Sequence, residues 1–122
     1  MKIALTLLIT AFAFSISAQV TQWRGPNRDG HFPETGLLKE WPEDGPELLM
    51  QVEKIGKGYS SAIPEGDMIY ITGMIDTLDY LTAINPDGSF KWQVPYGRSW
   101  NKSFPDTRST PVVEDSRIYV QS

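Results

Sequence analysis

The sequence predicts an all-β fold that is assembled from a repeated unit of four short antiparallel strands. The first observation is internal similarity: Ser60 and Ser109 open related segments 49 positions apart, and Tyr70 and Tyr119 lie in related segments at the same offset. The second is a series of short apolar runs separated by Gly, Pro and Asp turns. Similarity at a period of about 20–50 residues is typical of solenoids, propellers and arrays. Four-stranded antiparallel units repeated radially form a β-propeller, so we expect part of one here.

One complete unit spans residues 59–95. Apolar and polar residues alternate along its runs, and its third turn, Asn85-Pro86-Asp87-Gly88, combines residue types that favour tight turns. Pro95 is expected to end the last strand. The four predicted strands are Ser60–Pro64, Met68–Gly73, Tyr80–Asn85 and Ser89–Val94.

Four residues of this unit, Ala83, Asn85, Gly88 and Trp92, resemble the tryptophan-docking motif of the quinoprotein-type (PQQ-like) β-propeller repeats. The chain departs from the family pattern in having Asn85 in place of Asp and a turn one residue shorter. In that family the Trp packs between neighbouring blades, so the resemblance implies a structural role for Trp92. The alternative is an ordinary antiparallel meander in which Trp92 is a core residue.

Residues 1–18 have the features of a secretory signal peptide, with Lys2, an apolar run and small residues ending at Ala18. We expect cleavage before Gln19, a periplasmic or extracellular location, and no integral membrane span after cleavage. The apolar run is shorter than the ~20 residues of a transmembrane helix. A retained N-terminal anchor is the alternative.

Residues 19–46 are predicted to form an irregular lead-in segment, because Gly, Pro and charged residues interrupt every periodic pattern. A disordered linker is the alternative. The large apolar residues of the segment favour an ordered loop, because their side chains are expected to pack on the apolar surface of the domain and pin the loop there. These residues are Trp23, Phe32, Leu37, Leu38 and Trp41.

Residues 47–122 are interpreted as a partial propeller. Its first strand, at 47–52, is a clasp strand, meaning an N-terminal strand that would complete the last blade of a closed ring. The blade at 59–95 and the start of the next blade at 108–122 follow. One and a half blades leave apolar strand edges unpaired. We therefore expect these residues to be an N-terminal fragment of a secreted bacterial member of the family, marginally folded or self-associating when isolated.

The connection between Pro95 and Arg108 is longer than the equivalent connection before residue 59 and alternates aromatic with polar residues. Long loops rich in aromatic residues frequently carry binding function. The candidate binding loop consists of Tyr96, Arg98, Trp100, Lys102 and Phe104.

The composition limits the chemistry that the chain can perform. The net charge of −4 and the absence of a basic cluster argue against nucleic-acid binding. There is no Cys, and the single His31 excludes a two-His metal site. His31 follows Asp29-Gly30 in a loop and is interpreted as a solvated residue, so no Ser-His-Asp triad is expected. Asp76, Asp79 and Asp87 lack the spacing of a Ca²⁺ loop and are interpreted as turn or cap residues. No catalytic or metal-ligating residue is therefore predicted.

Two functional interpretations remain. The first is a secreted scaffold that binds protein partners, a ligand or the remaining blades of the same propeller, with no cofactor in this part of the chain. The second is the N-terminal part of a pyrroloquinoline-quinone-dependent dehydrogenase, in which the resemblance implies the quinone and Ca²⁺ on the propeller axis. The paired cysteines and catalytic Asp of such dehydrogenases have no counterpart here, which favours the scaffold. The number of blades, the partner and any substrate are not predicted.

Overall fold

The computed structural model describes residues 20–122, and the predicted signal peptide lies outside them. Within this range the chain is all-β and has no helix, in agreement with the predicted fold class. It follows that the described residues include no helix that could span a membrane. The strands are β1 (Val20–Thr21), β2 (Ile63–Glu65), β3 (Met68–Ile75), β4 (Leu78–Ile84), β5 (Phe90–Arg98), β6 (Val112–Glu114) and β7 (Arg117–Tyr119).

Strands β2 to β5 form one antiparallel sheet in chain order. The β3–β4 ladder is continuous from Ile69↔Ile84 to Ile75↔Leu78, so the connecting turn contains only two residues. Its first residue, Asp76, has φ 55°, in the left-handed region that two-residue hairpins use. The prediction of a four-stranded antiparallel unit joined by tight turns is confirmed.

The first strand of this sheet is shorter than predicted and begins at Ile63 instead of Ser60. Ser60 lies beside β3 but bonds to it through its side chain: its hydroxyl donates to the carbonyl of Thr72 (2.9 Å) and accepts from the Thr72 amide (3.3 Å). A local side-chain bond of this kind competes with the regular ladder. It therefore replaces strand pairing at this position.

The last strand of the sheet continues past Pro95 to Arg98, so the prediction that Pro95 ends it is wrong. Proline cannot donate to a ladder, but β5 lies at the edge of the sheet, where a missing donor is tolerated. Pro95 pairs with Tyr80 next to a β-bulge, and Tyr96 is the extra residue of that bulge.

A second sheet has the order β1-β6-β7. Its β6–β7 hairpin falls within the segment predicted to begin the next unit, residues 108–122. The lead-in supplies β1, which pairs with β6 through Val20↔Glu114 and Thr21↔Val113. The sequence did not predict this pairing, because two residues are too few to show a strand pattern.

The apolar core lies where the two sheets meet. Ile63 of β2 and Ala83 of β4 share one face of the larger sheet, since each pairs with Tyr70. Leu81 is buried on the same face, and Val113 of β6 is buried as well. The core is therefore built from both copies of the repeated segment.

Residues 47–52, predicted to form a clasp strand, are not in a strand. Met50 lies against Gly88 in the β4–β5 turn, and the carbonyl of Lys54 accepts a hydrogen bond from Gln93 Nε2 (3.3 Å). The segment thus crosses a face of the sheet instead of pairing with its edge. The positive φ of Lys54, 65°, ends the extended course of the chain two residues after this segment.

The lead-in is irregular after β1, as predicted, but its apolar residues do not pin it to the domain. All five are more than half exposed: Trp23, Phe32, Leu37, Leu38 and Trp41. The segment is attached instead through β1 and through the Thr21 hydroxyl, which donates to the carboxylate of Glu65.

Candidate functional site

The four residues that resemble a tryptophan-docking motif come together in the β4–β5 hairpin. Ala83 pairs directly with Trp92 across the two strands, so both side chains lie on one face. Ala83 is completely buried, whereas Trp92 is 37% exposed. The Trp92 ring contacts Tyr70 with ring centroids 6.1 Å apart. Trp92 is therefore partly covered by its own sheet.

Asn85 and Gly88 shape the turn of this hairpin. The backbone amide of Asn85 donates to the backbone carbonyl of Ser89 (2.9 Å), and the backbone amide of Gly88 donates to the backbone carbonyl of Asn85 (2.9 Å). The Asp87 carboxylate accepts from both the hydroxyl and the amide of Ser89, and these bonds lower the pKa of Asp87. The four motif residues accordingly have a structural arrangement at one hairpin.

The candidate binding loop is divided by the structure. Tyr96 and Arg98 belong to β5, while Trp100, Lys102 and Phe104 lie in the irregular connection that follows. Trp100 and Lys102 come together, with the Lys102 ammonium nitrogen 5.6 Å from the centre of the Trp100 ring. Phe104 is 81% exposed and turned away from the core.

The end of this connection is held in a defined shape. Phe104 and Asp106, on either side of Pro105, both have positive φ, 45° and 84°. The guanidinium of Arg108 donates to the carbonyl of Ser103 (2.8 Å) and also to that of Phe104. Non-glycine residues in the left-handed region are strained and persist where surrounding contacts hold them. The Arg108 bonds supply such contacts.

A cavity of about 450 Å³ lies between this connection and the end of β7. Its volume is within the range of small-molecule sites, ~300–1,000 Å³. Two carboxylates, one guanidinium and one indole are among its walls. The lining residues are Asp79, Trp100, Asp106, Thr107, Arg108, Ser109, Gln121 and Ser122.

Asp79 is the most unusual of these residues, because its carboxylate is on the core face and only 3% exposed. Its Oδ1 accepts a hydrogen bond from the Thr107 hydroxyl (2.7 Å). No Lys, Arg or His forms an ion pair with it among residues 20–122. A buried carboxylate with a single neutral donor is poorly compensated. Asp79 therefore lacks the counter-charge that buried acidic residues usually have.

The β-bulge places the Tyr96 hydroxyl beside Asp79. Burial first, and then the Asp79 carboxylate, raises the pKa of Tyr96. The hydroxyl is buried and lies near the side chains of Thr72 and Thr107, which partly offset this rise in pKa, but no partner among residues 20–122 meets hydrogen-bond geometry. A bulge commonly redirects a side chain in this way. The two adjacent buried polar groups, Asp79 and Tyr96, thus have unused hydrogen-bonding capacity.

A second cavity, of about 710 Å³, lies between the lead-in and β2. Trp23, Phe32 and Pro33 form an apolar wall, and Glu34 and Glu65 lie at its margin. His31 is nearby in sequence but exposed, with its Nδ1 3.6 Å from the Asp29 carboxylate. Residues 20–122 contain no cluster of three His, Cys, Asp or Glu that could hold a metal ion.

Sequence reasoning identified Trp100 but missed Asp79, which it interpreted as a turn or cap residue. The reason is the boundary of β4: the strand was predicted to begin at Tyr80, but it begins at Leu78. With the correct boundary, Asp79 alternates onto the same face as Leu81 and Ala83. An acidic residue on the core face of a strand is the signal that would have found it.

No protein family matches this chain, and the searches of curated proteins and of solved structures found no match either.

Proposed function

We propose that this chain forms part of an exported β-propeller with quinoprotein-like repeats, and that it acts as a non-catalytic binding scaffold. The observation that carries the proposal is the strand register. Each pairing of the β2–β3 hairpin recurs in β6–β7 with both residues advanced by 49 positions. The corresponding pairs are Ile63↔Tyr70 with Val112↔Tyr119, Pro64↔Ile69 with Val113↔Ile118, and Glu65↔Met68 with Glu114↔Arg117.

The repetition extends to the turn and to a side-chain bond. Gly66 and Asp115 open the two equivalent turns with φ of 56° and 52°. The Ser109 hydroxyl accepts from the Gln121 amide (3.1 Å), as the hydroxyl of Ser60 accepts from the amide of Thr72. A sequence repeat that folds into the same local structure twice is the behaviour expected of a repeat protein.

The two repeats also contact each other through equivalent segments. The Thr72 hydroxyl donates to the carbonyl of Ser109 (2.5 Å), and the amide of Ser61 donates to the Thr110 hydroxyl (3.0 Å). Neighbouring units in a propeller contact one another in succession. These bonds therefore support stacking of consecutive blades.

The exposed apolar residues support the same proposal. Trp92 and Val94 lie on one face of β5 and are both exposed. In a closed ring, this face would pack against an adjoining unit, and burial of the Trp92 ring would add to the stability of the assembly. This is the docking role that the resemblance implies for Trp92.

The stacking can be tested with an engineered disulfide, since the chain has no natural Cys. We expect the double variant Ser61→Cys/Thr110→Cys to oxidise to an intramolecular disulfide, because these residues are in hydrogen-bond contact. The control is Ser61→Cys/Ser116→Cys, in which the second cysteine lies in the β6–β7 turn. Intact mass under non-reducing and reducing conditions reports the bond. Equal oxidation of the two pairs would contradict the proposed stacking.

The scaffold function is tested by export and by quinone titration. When the full chain is expressed in a bacterium with a periplasm, we expect a periplasmic product that has lost residues 1–18. Addition of pyrroloquinoline quinone, with and without Ca²⁺, is expected to cause no saturable change in quinone absorbance. Saturable Ca²⁺-dependent binding, with reduction of a dye by an alcohol, would favour the dehydrogenase interpretation instead.

A further inference from the structure

We propose that the cavity beside Asp79 binds a small organic cation that carries a primary ammonium group. The cavity is formed entirely by residues of this chain. The proposal rests on the residues that line this cavity and not on the proposed propeller.

The first argument is the uncompensated charge of Asp79. Asp79 is 3% exposed as a residue and lines the cavity, and its carboxylate has the Thr107 hydroxyl as its hydrogen-bond donor. Burial of a carboxylate is costly unless a cation or several donors compensate it. An ammonium group in the cavity would supply both a positive charge and N–H donors.

The second argument is the charge balance of the walls. Asp106 contributes a second carboxylate, and the only cationic side chain in the lining is Arg108. The guanidinium of Arg108 already donates to the carbonyls of Ser103 and Phe104, and it forms no ion pair with either carboxylate of the cavity. The lining side chains therefore carry one net negative charge. This charge favours a cationic ligand beside Asp79, which has no ion-pair partner, although the Lys102 ammonium group lies next to the Trp100 wall.

The third argument is the aromatic wall. Trp100 lines the cavity, and its ring already has the Lys102 ammonium group 5.6 Å from its centre. Indole is the most favourable aromatic partner for a cation. Ser109 and Gln121 add neutral polar groups that can accept further N–H bonds. Charge, aromatic face and acceptors together match a compact alkylammonium compound.

The test titrates the full chain with the diamine putrescine, and isothermal titration calorimetry measures the binding. Butane-1,4-diol, which has the same carbon chain with hydroxyl groups in place of the amines, is the matched neutral compound. We expect saturable binding of putrescine with one site per chain and no saturable binding of the diol.

Asp79→Asn is the decisive variant, because its amide oxygen can still accept from Thr107 while the charge is lost. We expect its affinity for putrescine to fall by about 10-fold or more, because a loss of this size corresponds to the free energy of one hydrogen bond to a charged group. Trp100→Ala, in an exposed loop, should also weaken binding without affecting the fold. Asp44→Asn, which removes an exposed carboxylate outside the cavity, should bind putrescine like the unmodified chain. Circular dichroism spectra check that each variant is folded.

Several outcomes would overturn the proposal. They are absence of saturable putrescine binding by the folded chain, equal binding of the diol, and unchanged affinity in folded Asp79→Asn. If one Ca²⁺ ion per chain displaced putrescine at a Ca²⁺ concentration below that of the diamine, the cavity would be a metal site instead. If Asp79→Asn does not fold, an unchanged affinity in Trp100→Ala refutes the proposal on its own.

Discussion

Replacement of Trp92 by alanine tests how much a half-covered aromatic residue stabilises this sheet. The side chain is 37% exposed, so roughly three-fifths of its surface is removed from water. Taking about 250 Å² for the whole side chain, about 150 Å² is buried, which corresponds to ~4 kcal/mol at ~25 cal/mol/Å². Residual burial in the denatured chain lowers this value by about 10–40%. Loss of the Tyr70 contact adds ~0.5–1.5 kcal/mol.

We therefore expect Trp92→Ala to lower the free energy of unfolding by about 3–4 kcal/mol, within the range known for large-to-small aromatic substitutions. Urea denaturation followed by far-UV circular dichroism is the appropriate assay, because it does not depend on the fluorescence of the removed residue. Phe104→Ala is the control: Phe104 is an aromatic residue that is 81% exposed in a loop, and its removal should cost less than about 1 kcal/mol. A cost below ~1 kcal/mol for Trp92→Ala, or equal costs for the two variants, would refute the structural role of Trp92.

Three further predictions concern single positions. Gly73→Ala should destabilise the fold by about 1–3 kcal/mol, because the new Cβ would collide with the carbonyl oxygen of Ile55; a melting temperature equal to that of the unmodified chain would contradict this close approach. Asp115→Gly should leave stability unchanged or raise it by up to ~1 kcal/mol, whereas Asp115→Val should lower it, since φ is 52° and the equivalent residue is Gly66; the reverse order in urea titrations would argue against the shared turn. Tyr96 has a raised pKa, so the folded state holds the phenol proton more tightly than the unfolded state does. The resulting contribution to the free energy of unfolding is fully present below about pH 10 and is lost as pH rises through the pKa of the folded state. Tyr96→Phe should therefore flatten the decline in melting temperature above about pH 10 without loss of stability at pH 7, because the removed hydroxyl has no partner; an unchanged alkaline decline would refute the assignment to Tyr96.

The role of tertiary context is clearest at Pro95 and at residues 47–52. Locally, a proline predicts the end of a strand, but β5 is an edge strand, where a missing donor is tolerated, and it continues past Pro95. An apolar run such as 47–52 has the composition of a strand, but it forms one only where it can pair with a free edge of a sheet. Here the run meets a sheet face, where Met50 packs on Gly88.

The repeat, its offset of 49 residues and the turns between its strands could be predicted from the amino-acid sequence alone. These features depend on side-chain alternation and on the φ preferences of Gly, Asp and Asn, which act within a few residues. Which polar residues share a cavity depends on long-range packing and could not be predicted in this way. Asp79 and Thr107 are 28 positions apart, and their contact depends on how the second repeat packs on the first. Strand alternation can place Asp79 on the core face, but the lack of a counter-charge beside its carboxylate is a property of that packing and follows from no local pattern.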